Sequence, residues 1–215
     1  MLASCAQKQQ DNETPDTLSL EEWCNNVFSR AAEDTTTTIP DYAYATDWMK
    51  RYGEYITAHF EGRVDIWFSK DTAESFDCRY WTMAYVDNDT IPELLLYGGC
   101  QASGSKILTQ YGGKVYASPK GRFSYIKGGD GLLHSKWRYE YDVFGEIYEM
   151  KNGRFAELYS YDCTVNFSDT NAVDSLRSVR QTLDALYYSK GTNTYFPNIF
   201  NTSRKPIDEL ISKVK

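Results

Sequence analysis

Acidic side chains recur in the second half of the chain, in segments whose aromatic and β-branched residues predict β-strands. They are Glu140, Glu146, Glu149, Glu157 and Asp162. Two carboxyl groups on opposite sides of a cleft can hydrolyse a glycosidic bond, with one acting as an acid and the other as a base or nucleophile. Because carboxylates at alternating strand positions usually face solvent, the sequence designates no catalytic pair among them. A glycoside hydrolase is therefore an alternative interpretation.

Motifs for nucleophilic, phosphate or zinc chemistry are weak. Ser135 follows His134, but residues adjacent in sequence do not form a catalytic triad, and no Gly-x-Ser-x-Gly turn is present. The Gly-rich stretch 128–131 lacks the Gly-Lys-Ser/Thr ending of a phosphate loop. With only 2 His and no closely spaced pair of Cys, a zinc site is not indicated. We therefore expect no catalytic residue and no cofactor, and we favour a protein that is not an enzyme.

The composition indicates a globular chain without a nucleic-acid partner. Hydrophobic residues make up 41% and charged residues 25% of the 215 positions, which is enough for one domain with a core. The formal net charge of -7 argues against nucleic acid, which requires a basic surface. No run of about 18 apolar residues occurs, so no transmembrane helix is predicted. The 18 Tyr suit half-buried strand surfaces, with stacking on a sugar ring as the alternative.

Two stretches with apolar residues at helical spacing precede the strands. Ser19 and Glu22 form a capping box, which predicts the start of a helix over roughly 20–32. The second stretch covers 48–60, and His59 lies on its apolar face, as a packed core histidine does.

From Val64 onwards the apolar pattern favours short strands separated by turn signals. Strands are predicted near 64–68, 79–86, 93–98, 105–110, 113–117, 122–127, 131–134, 137–149 and 154–166. Asn152-Gly153 predicts a hairpin, because a type I′ turn needs positive φ at both central residues. Helical spacing returns for two helices after Phe167. This order predicts an α+β fold: an antiparallel, Tyr-rich β-meander with N-terminal and C-terminal helices packed on it.

The residues Leu2-Ala3-Ser4-Cys5 resemble a lipobox, the processing site of bacterial lipoproteins. In that family a signal peptide is cleaved before the Cys, and the Cys thiol receives the lipid. The resemblance implies an extracytoplasmic protein that is anchored to a membrane through Cys5. The residues that follow, up to position 16, are polar and show no hydrophobic period, as in a flexible tether.

A second resemblance covers roughly 80–165. The chain from 84 to 96 reads AYVDNDTIPELLL. It resembles a hairpin common in secreted bacterial proteins, whose form is a hydrophobic residue followed by Asp-x-Asp-x-Asp-Gly-x-Pro-Glu-Leu-Leu. Proteins with this hairpin are mostly uncharacterised lipoproteins or secreted modules, so the resemblance implies a compartment more than a function.

In some proteins with this hairpin the acidic loop resembles a calcium site. Here Asp87, Asp89 and Glu93 keep three carboxylates, but Tyr85 and Thr90 stand where the family has Asp and Gly. Calcium takes about six to eight oxygens, so these three residues are only weak metal candidates. The alternative is an acidic turn that joins two strands.

If Cys5 carries lipid, four cysteines remain, and an oxidising compartment permits two disulfides among them. If the strands on either side of the acidic turn pair as a hairpin, Cys78 and Cys100 face each other within reach of a disulfide. Cys24 lies on the apolar stripe of the first helix. It therefore either pairs with Cys163 or stays a buried thiol.

Together these features predict an extracytoplasmic lipoprotein with a lipobox remnant and tether over 1–16 and a single α+β domain over 17–215. We interpret that domain as a non-enzymatic binding or envelope-associated module, with a glycan or another envelope component as its partner. The alternative from another class is a carbohydrate-active enzyme, such as a glycoside hydrolase, or its accessory subunit.

Expressed with a full signal peptide, the protein should partition into detergent, because acyl chains on Cys5 hold it to a membrane. Cys5→Ala should release it into the aqueous phase, since alanine cannot accept the lipid. Detergent phase separation followed by immunoblotting measures both proteins. Equal partitioning of the two would contradict the lipobox assignment.

Overall fold

The computed structural model describes residues 18–28, 45–60, 78–98, 104–119, 121–127, 130–188, 194–195 and 205–214. Their helices are α1 (Leu20–Phe28), α2 (Asp47–Phe60), α3 (Thr170–Leu183), which continues into a π-helical turn (Asp184–Tyr188), and α4 (Ile207–Val214). Their strands are β1 (Cys78–Ala84), β2 (Glu93–Gly98), β3 (Ser105–Tyr111), β4 (Lys114–Ala117), β5 (Phe123–Lys127), β6 (Leu132–Tyr139), β7 (Asp142–Lys151), β8 (Arg154–Thr164), β9 (Thr194–Tyr195) and β10 (Lys205–Pro206). Among these residues, no helix combines the length and the apolar composition that crossing a membrane requires.

The strands form two antiparallel five-stranded sheets. Sheet 1 has the order β10-β1-β2-β3-β4, and sheet 2 has the order β8-β7-β6-β5-β9. The predicted α+β class with antiparallel pairing is therefore confirmed. The chain passes from sheet 1 to sheet 2 after β4, where Ser105 and Gly121 form an isolated bridge. The strands divide into two sheets because β2 is buried on both faces and needs a layer on each side.

Helices α2 and α4 cover the outer face of sheet 1. Trp81 is fully buried at this interface, and its Nε1 donates to the carbonyl oxygen of Pro206 at 3.1 Å. The hydroxyl of Tyr52 donates to the carbonyl oxygen of Pro92 at 3.2 Å, which ties α2 to the start of β2. The other buried apolar residues of this core are Met49, Ile56, Cys78, Met83, Leu94, Leu96, Leu108, Ile207 and Leu210.

The inner faces of the two sheets share a second core. In β2, Leu94 and Leu96 contact the helices, whereas Leu95 and Tyr97 contact sheet 2, because successive strand residues point to opposite faces. The residues of this inter-sheet core are Val86, Leu95, Tyr97, Ile107, Phe123, Leu133, Tyr148 and Met150. The described residues are therefore arranged in four layers, with helices on the outside and two sheets between them.

Helices α1 and α3 cover the outer face of sheet 2. The capping box at the start of α1 is confirmed: the Ser19 amide donates to Glu22 Oε2 at 2.9 Å, and the Glu22 amide donates to Ser19 Oγ at 3.1 Å. Trp23 Nε1 donates to Asp184 Oδ1 at 3.0 Å, and the guanidinium of Arg180 lies 5.7 Å from the centre of the Trp23 ring. These contacts dock α1 on α3 and on its π-helical turn.

Turn residues set the strand boundaries of sheet 2. Asn152 (φ 53) and Gly153 (φ 71) have the predicted positive φ, and their turn joins β7 to β8. Glu140 also has a positive φ of 50, in a turn that divides the predicted strand 137–149 between β6 and β7. No Gly or Asn marks that turn, so the sequence does not signal it. The predicted strand 64–68 lies outside the described residues.

Gly145 of β7 lies beneath Tyr161, whose hydroxyl is 2.7 Å from Nε2 of the buried His134. A Cβ at Gly145 would clash with the backbone carbonyl oxygen of Ser135 in β6 and would lie 2.6 Å from that hydroxyl. Gly145→Ala should therefore displace both the β6 backbone and the ring and lower the free energy of unfolding by about 2–4 kcal/mol. Urea unfolding followed by Trp fluorescence measures the change. The exposed Ser160→Ala is the control, with an expected change within about 0.5 kcal/mol; an equally small loss for Gly145→Ala would show that the backbone and the ring move without cost.

Candidate functional site

The aspartates of the β1–β2 hairpin shape its turn. Asp87 Oδ1 accepts a hydrogen bond from the Asp89 amide at 2.9 Å, and Asp89 Oδ1 accepts one from the Ile91 amide at 2.6 Å. A bond from an aspartate to the amide two residues later stabilises a turn. Both side chains therefore have a structural role in the hairpin.

Glu93 is the first residue of β2 and is fully buried. Its Oε2 accepts a hydrogen bond from the Val86 amide at 2.8 Å, and its Oε1 accepts one from the Thr109 hydroxyl at 3.1 Å. Burial raises the pKa of Glu93 to about 8, and the nearby Asp87 adds to the increase. The carboxyl group is therefore mostly protonated at pH 7.

The predicted metal candidates Asp87, Asp89 and Glu93 lie together. One oxygen atom from each is within 4.8 Å of the others. Calcium takes about six to eight oxygens, however, and Glu93 carries little charge near neutral pH. Each of the three side chains also accepts a hydrogen bond within the hairpin or from β3. This arrangement favours a structural turn, and a metal at this position stays a prediction.

The hairpin register places Cys78 opposite Gly98 rather than opposite Cys100. In the regular part of the hairpin Tyr80 pairs with Tyr97, which is already one residue away from the predicted register, and a bulge between Cys78 and Tyr80 shifts the pairing by one residue more. Cys100 lies outside the described residues, so its disulfide with Cys78 stays a prediction. Cys5 also lies outside them.

A second group of polar and aromatic side chains lies on the inner face of sheet 2, beside the inter-sheet core. Strand pairing aligns Trp137 of β6 with Phe144 of β7 and Asp162 of β8. Glu146 lies two residues further along β7 and therefore points to the same face. These side chains are half-buried or exposed. We call the following set the acidic–aromatic face: Trp137, Phe144, Glu146, Glu157 and Asp162.

A β-bulge in β8 brings Glu157 onto the acidic–aromatic face. Ile147 of β7 pairs with Tyr159 of β8, and the next residue, Tyr148, pairs with Glu157. Leu158 is therefore the extra residue of the bulge. Without the bulge, Leu158 would pair with Tyr148 and Glu157 would point to the opposite face. The bulge therefore places a second carboxyl group close to Glu146.

The aromatic part of this face is a T-shaped pair. The ring centres of Trp137 and Phe144 are 4.9 Å apart, and their planes meet at 81°. The guanidinium of Arg122 lies 5.0 Å from the centre of the Trp137 ring, in a cation–π contact. Within the part of the chain that the structure describes, the buried Nε1 of Trp137 has no hydrogen-bond partner.

Glu146 is a carboxyl group with a raised pKa on this face. Burial raises its pKa, and the neighbouring Glu157 raises it further, against hydrogen bonds with Tyr148 and Ser135 that lower it. A carboxyl group that keeps its proton closer to neutral pH can donate a hydrogen bond to a ligand or act as a general acid.

The structure separates the five acids named from the sequence. Glu146, Glu157 and Asp162 share the acidic–aromatic face, whereas Glu149 points to the outer face of sheet 2 and Glu140 lies in the β6–β7 turn.

Sequence reasoning missed the aromatic side of this site. The alternation of side chains along β6 would have placed Trp137 on the face of Ser135. Its pairing with Phe144 was not visible, because no turn signal separates β6 from β7. No pattern in the sequence indicated that Arg122 belongs to this site.

No protein-family model, curated protein or solved structure matches the chain. The site is therefore interpreted from its own geometry.

Stability should depend on pH through Glu93. Its pKa is about 8 in the folded protein and about 4.5, the ordinary value, in the unfolded chain. As the pH rises, the unfolded chain releases this proton first, so the folded state loses stability between about pH 4.5 and pH 8, by up to about 1.4 kcal/mol per pH unit. Urea unfolding at a series of pH values measures the slope. Glu93→Gln, which keeps the shape and cannot ionise, should reduce it; an unchanged slope would assign it to other groups.

Proposed function

We propose that the chain is an extracytoplasmic bacterial lipoprotein, anchored through Cys5, whose α+β domain binds a ligand rather than catalysing a reaction. The lipobox and the polar residues that follow it support the anchor. The first described helix, α1, begins at Leu20, after that polar segment. A Tyr-rich meander with helices at both ends is part of this proposal, because the helices lie on the outer faces and a ligand can then use the part of the inner face of sheet 2 that lies beyond the inter-sheet core.

The acidic–aromatic face is the observation that carries the binding proposal. Sugar rings present apolar C–H faces that stack on aromatic side chains such as Trp137 and Phe144. Their hydroxyl groups donate hydrogen bonds to carboxylates, which Glu146, Glu157 and Asp162 provide. A ligand rich in hydroxyl groups can therefore stack its C–H faces on the aromatic rings and donate its hydroxyl groups to the carboxylates. We accordingly propose a glycan of the cell envelope as the ligand.

Exposed tyrosines extend this surface toward the end of β6. Tyr139 is 69% exposed and lies two residues after Trp137, on the same face of the strand. Tyr141, in the following turn, is 66% exposed. Two residues of a strand span about 7 Å, a distance similar to one sugar unit, so Trp137 and Tyr139 can contact successive sugars of a chain.

Trp137→Ala should weaken glycan binding by roughly tenfold or more, because it removes the ring at the centre of the surface. Soluble peptidoglycan fragments and a panel of neutral glycans are the probes, and calorimetric titration gives the dissociation constants. Tyr111→Ala is the matched control, since Tyr111 is 51% exposed but belongs to sheet 1. Binding by neither class of probe, or equal affinity of the two variants for a bound glycan, would contradict the proposal.

Glycoside hydrolysis is the second candidate function, and the raised pKa of Glu146 beside Glu157 is the observation that favours it. In such an enzyme Glu146 would protonate the leaving oxygen, and Glu157 would act as base or nucleophile. The same glycans separate the two functions. New reducing ends whose formation Glu146→Gln abolishes would establish the enzyme, whereas binding of the glycan by the unmutated chain without any cleavage would establish the binding module.

A further inference from the structure

Acidic and basic side chains are separated between the two faces of strands β6, β7 and β8. Successive residues of a strand point to opposite faces. The inward positions hold Glu146, Glu157 and Asp162 of the acidic–aromatic face, whereas Lys136 and Arg138 of β6 occupy outward positions. These strands therefore place negative charge on the inner face of sheet 2 without supplying the positive charge that would balance it.

The other described residues do not balance this charge either. Within the part of the chain that the structure describes, none of Glu146, Glu157 and Asp162 forms an ion pair. The guanidinium of Arg122 lies over the Trp137 ring, beside β5, and strands β6 and β7 separate β5 from β8. The carboxyl group of Glu157 instead helps to raise the pKa of Glu146, as like charges on adjacent strands do. A cation from outside the chain would relieve this repulsion.

The three carboxyl groups follow one another along the strands. Glu157 is level with its partner Tyr148, and Asp162 is level with its partner Phe144. Glu146 lies midway between Tyr148 and Phe144 on β7. The acids therefore occupy three successive levels of the face, each about 7 Å from the next along the strands. A chain of sugars with a cationic group on its units would meet a carboxyl group at each level.

This spacing suits an organic cation better than a metal ion. Among the described residues, the acids that bring three oxygens within 4.8 Å of one another are those of the β1–β2 hairpin, and the acids of this face are not among them. A metal ion needs several oxygens at about 2.0–2.6 Å. A protonated amine needs less, because its three N–H groups form hydrogen bonds with one or two carboxylates and with neighbouring hydroxyl groups.

We propose that the acidic–aromatic face selects glycans whose amino sugars carry a free, protonated amine rather than an acetylated one. The inference rests on the glycan binding proposed above and specifies the class of glycan. A sugar at the level of Asp162 stacks its C–H face beside Trp137 and Phe144, while ammonium groups donate to the carboxylates. Acetylation removes the positive charge and two of the three N–H donors, so an acetylated sugar keeps only the stacking and the hydroxyl contacts.

The preference for the free amine should depend on salt. Glu157 and Asp162 are exposed, so dissolved ions screen their attraction for an ammonium group. Stacking on Trp137 and Phe144 involves no net charge and should persist. We therefore expect the sugar with the free amine to bind about tenfold more tightly than its acetylated form at low ionic strength, and this ratio to fall several-fold at about 0.5 M salt.

The test compares two tetrasaccharides of the same linkage and length, one built from glucosamine and the other from N-acetylglucosamine. Calorimetric titration of the 215-residue chain, at about pH 6 so that the amines keep their protons, gives both dissociation constants at low and high salt. The glucosamine tetrasaccharide should bind more tightly, by the ratio given above. Equal affinities, or tighter binding of the acetylated form, would overturn the inference and leave the glycan site to the Trp137→Ala experiment.

Two substitutions that remove the same charge locate the effect. Glu157→Gln takes one carboxylate from the acidic–aromatic face and should reduce the preference for glucosamine several-fold. Glu149→Gln takes one from the outer face of β7 and should leave the preference unchanged. An equal loss in both variants would assign the preference to the net charge of the protein and overturn the inference. Binding of neither tetrasaccharide nor of the other glycans would contradict the proposed function, and this inference with it.

Discussion

The burial of β2 on both faces is the constraint on which the architecture depends. All six residues of the strand are buried, with Leu94 and Leu96 toward the helices and Leu95 and Tyr97 toward sheet 2. A leucine contributes about 2 kcal/mol of hydrophobic stabilisation only when it is removed from water, so both faces need a cover. Helices α2 and α4 provide one cover, and sheet 2 provides the other. The four-layer order follows from the composition of this central strand.

Because the described strands differ in length, sheet 1 does not extend over the whole inner face of sheet 2. Strands β7 and β8 have 10 and 11 residues, whereas β2 and β3 have 6 and 7. Leu133 and Tyr148 contact sheet 1, but Trp137 and Phe144, nearer the β6–β7 turn, are only half-buried. At about 3.3 Å per residue, a difference of a few residues exposes enough surface for a small ligand. The candidate binding surface is therefore a consequence of how two sheets of different size stack.

Local chemistry predicted local structure, but the pairing of strands did not follow from it. The capping box at Ser19 and the turn at Asn152-Gly153 depend on adjacent residues, and both are confirmed. The Glu140 turn and the extra residue Leu158 depend on which strands meet, and adjacent residues do not encode that choice. The face on which each carboxyl group lies follows from those two features. The sequence could therefore name five acids, but it could not select the three that share a face.

Glu93 and Glu146 show that a raised pKa alone does not mark a functional site. Burial raises the pKa of both carboxyl groups. Glu93 is enclosed by the core, and its two oxygens accept hydrogen bonds from Val86 and Thr109, so the protein itself uses its bonding capacity. Glu146 is half-buried on sheet 2, so burial also disfavours its ionised form, but at a position that a ligand can reach. Only there can a ligand supply the charge or the hydrogen bonds that burial has removed, so partial exposure separates the functional candidate from the structural residue.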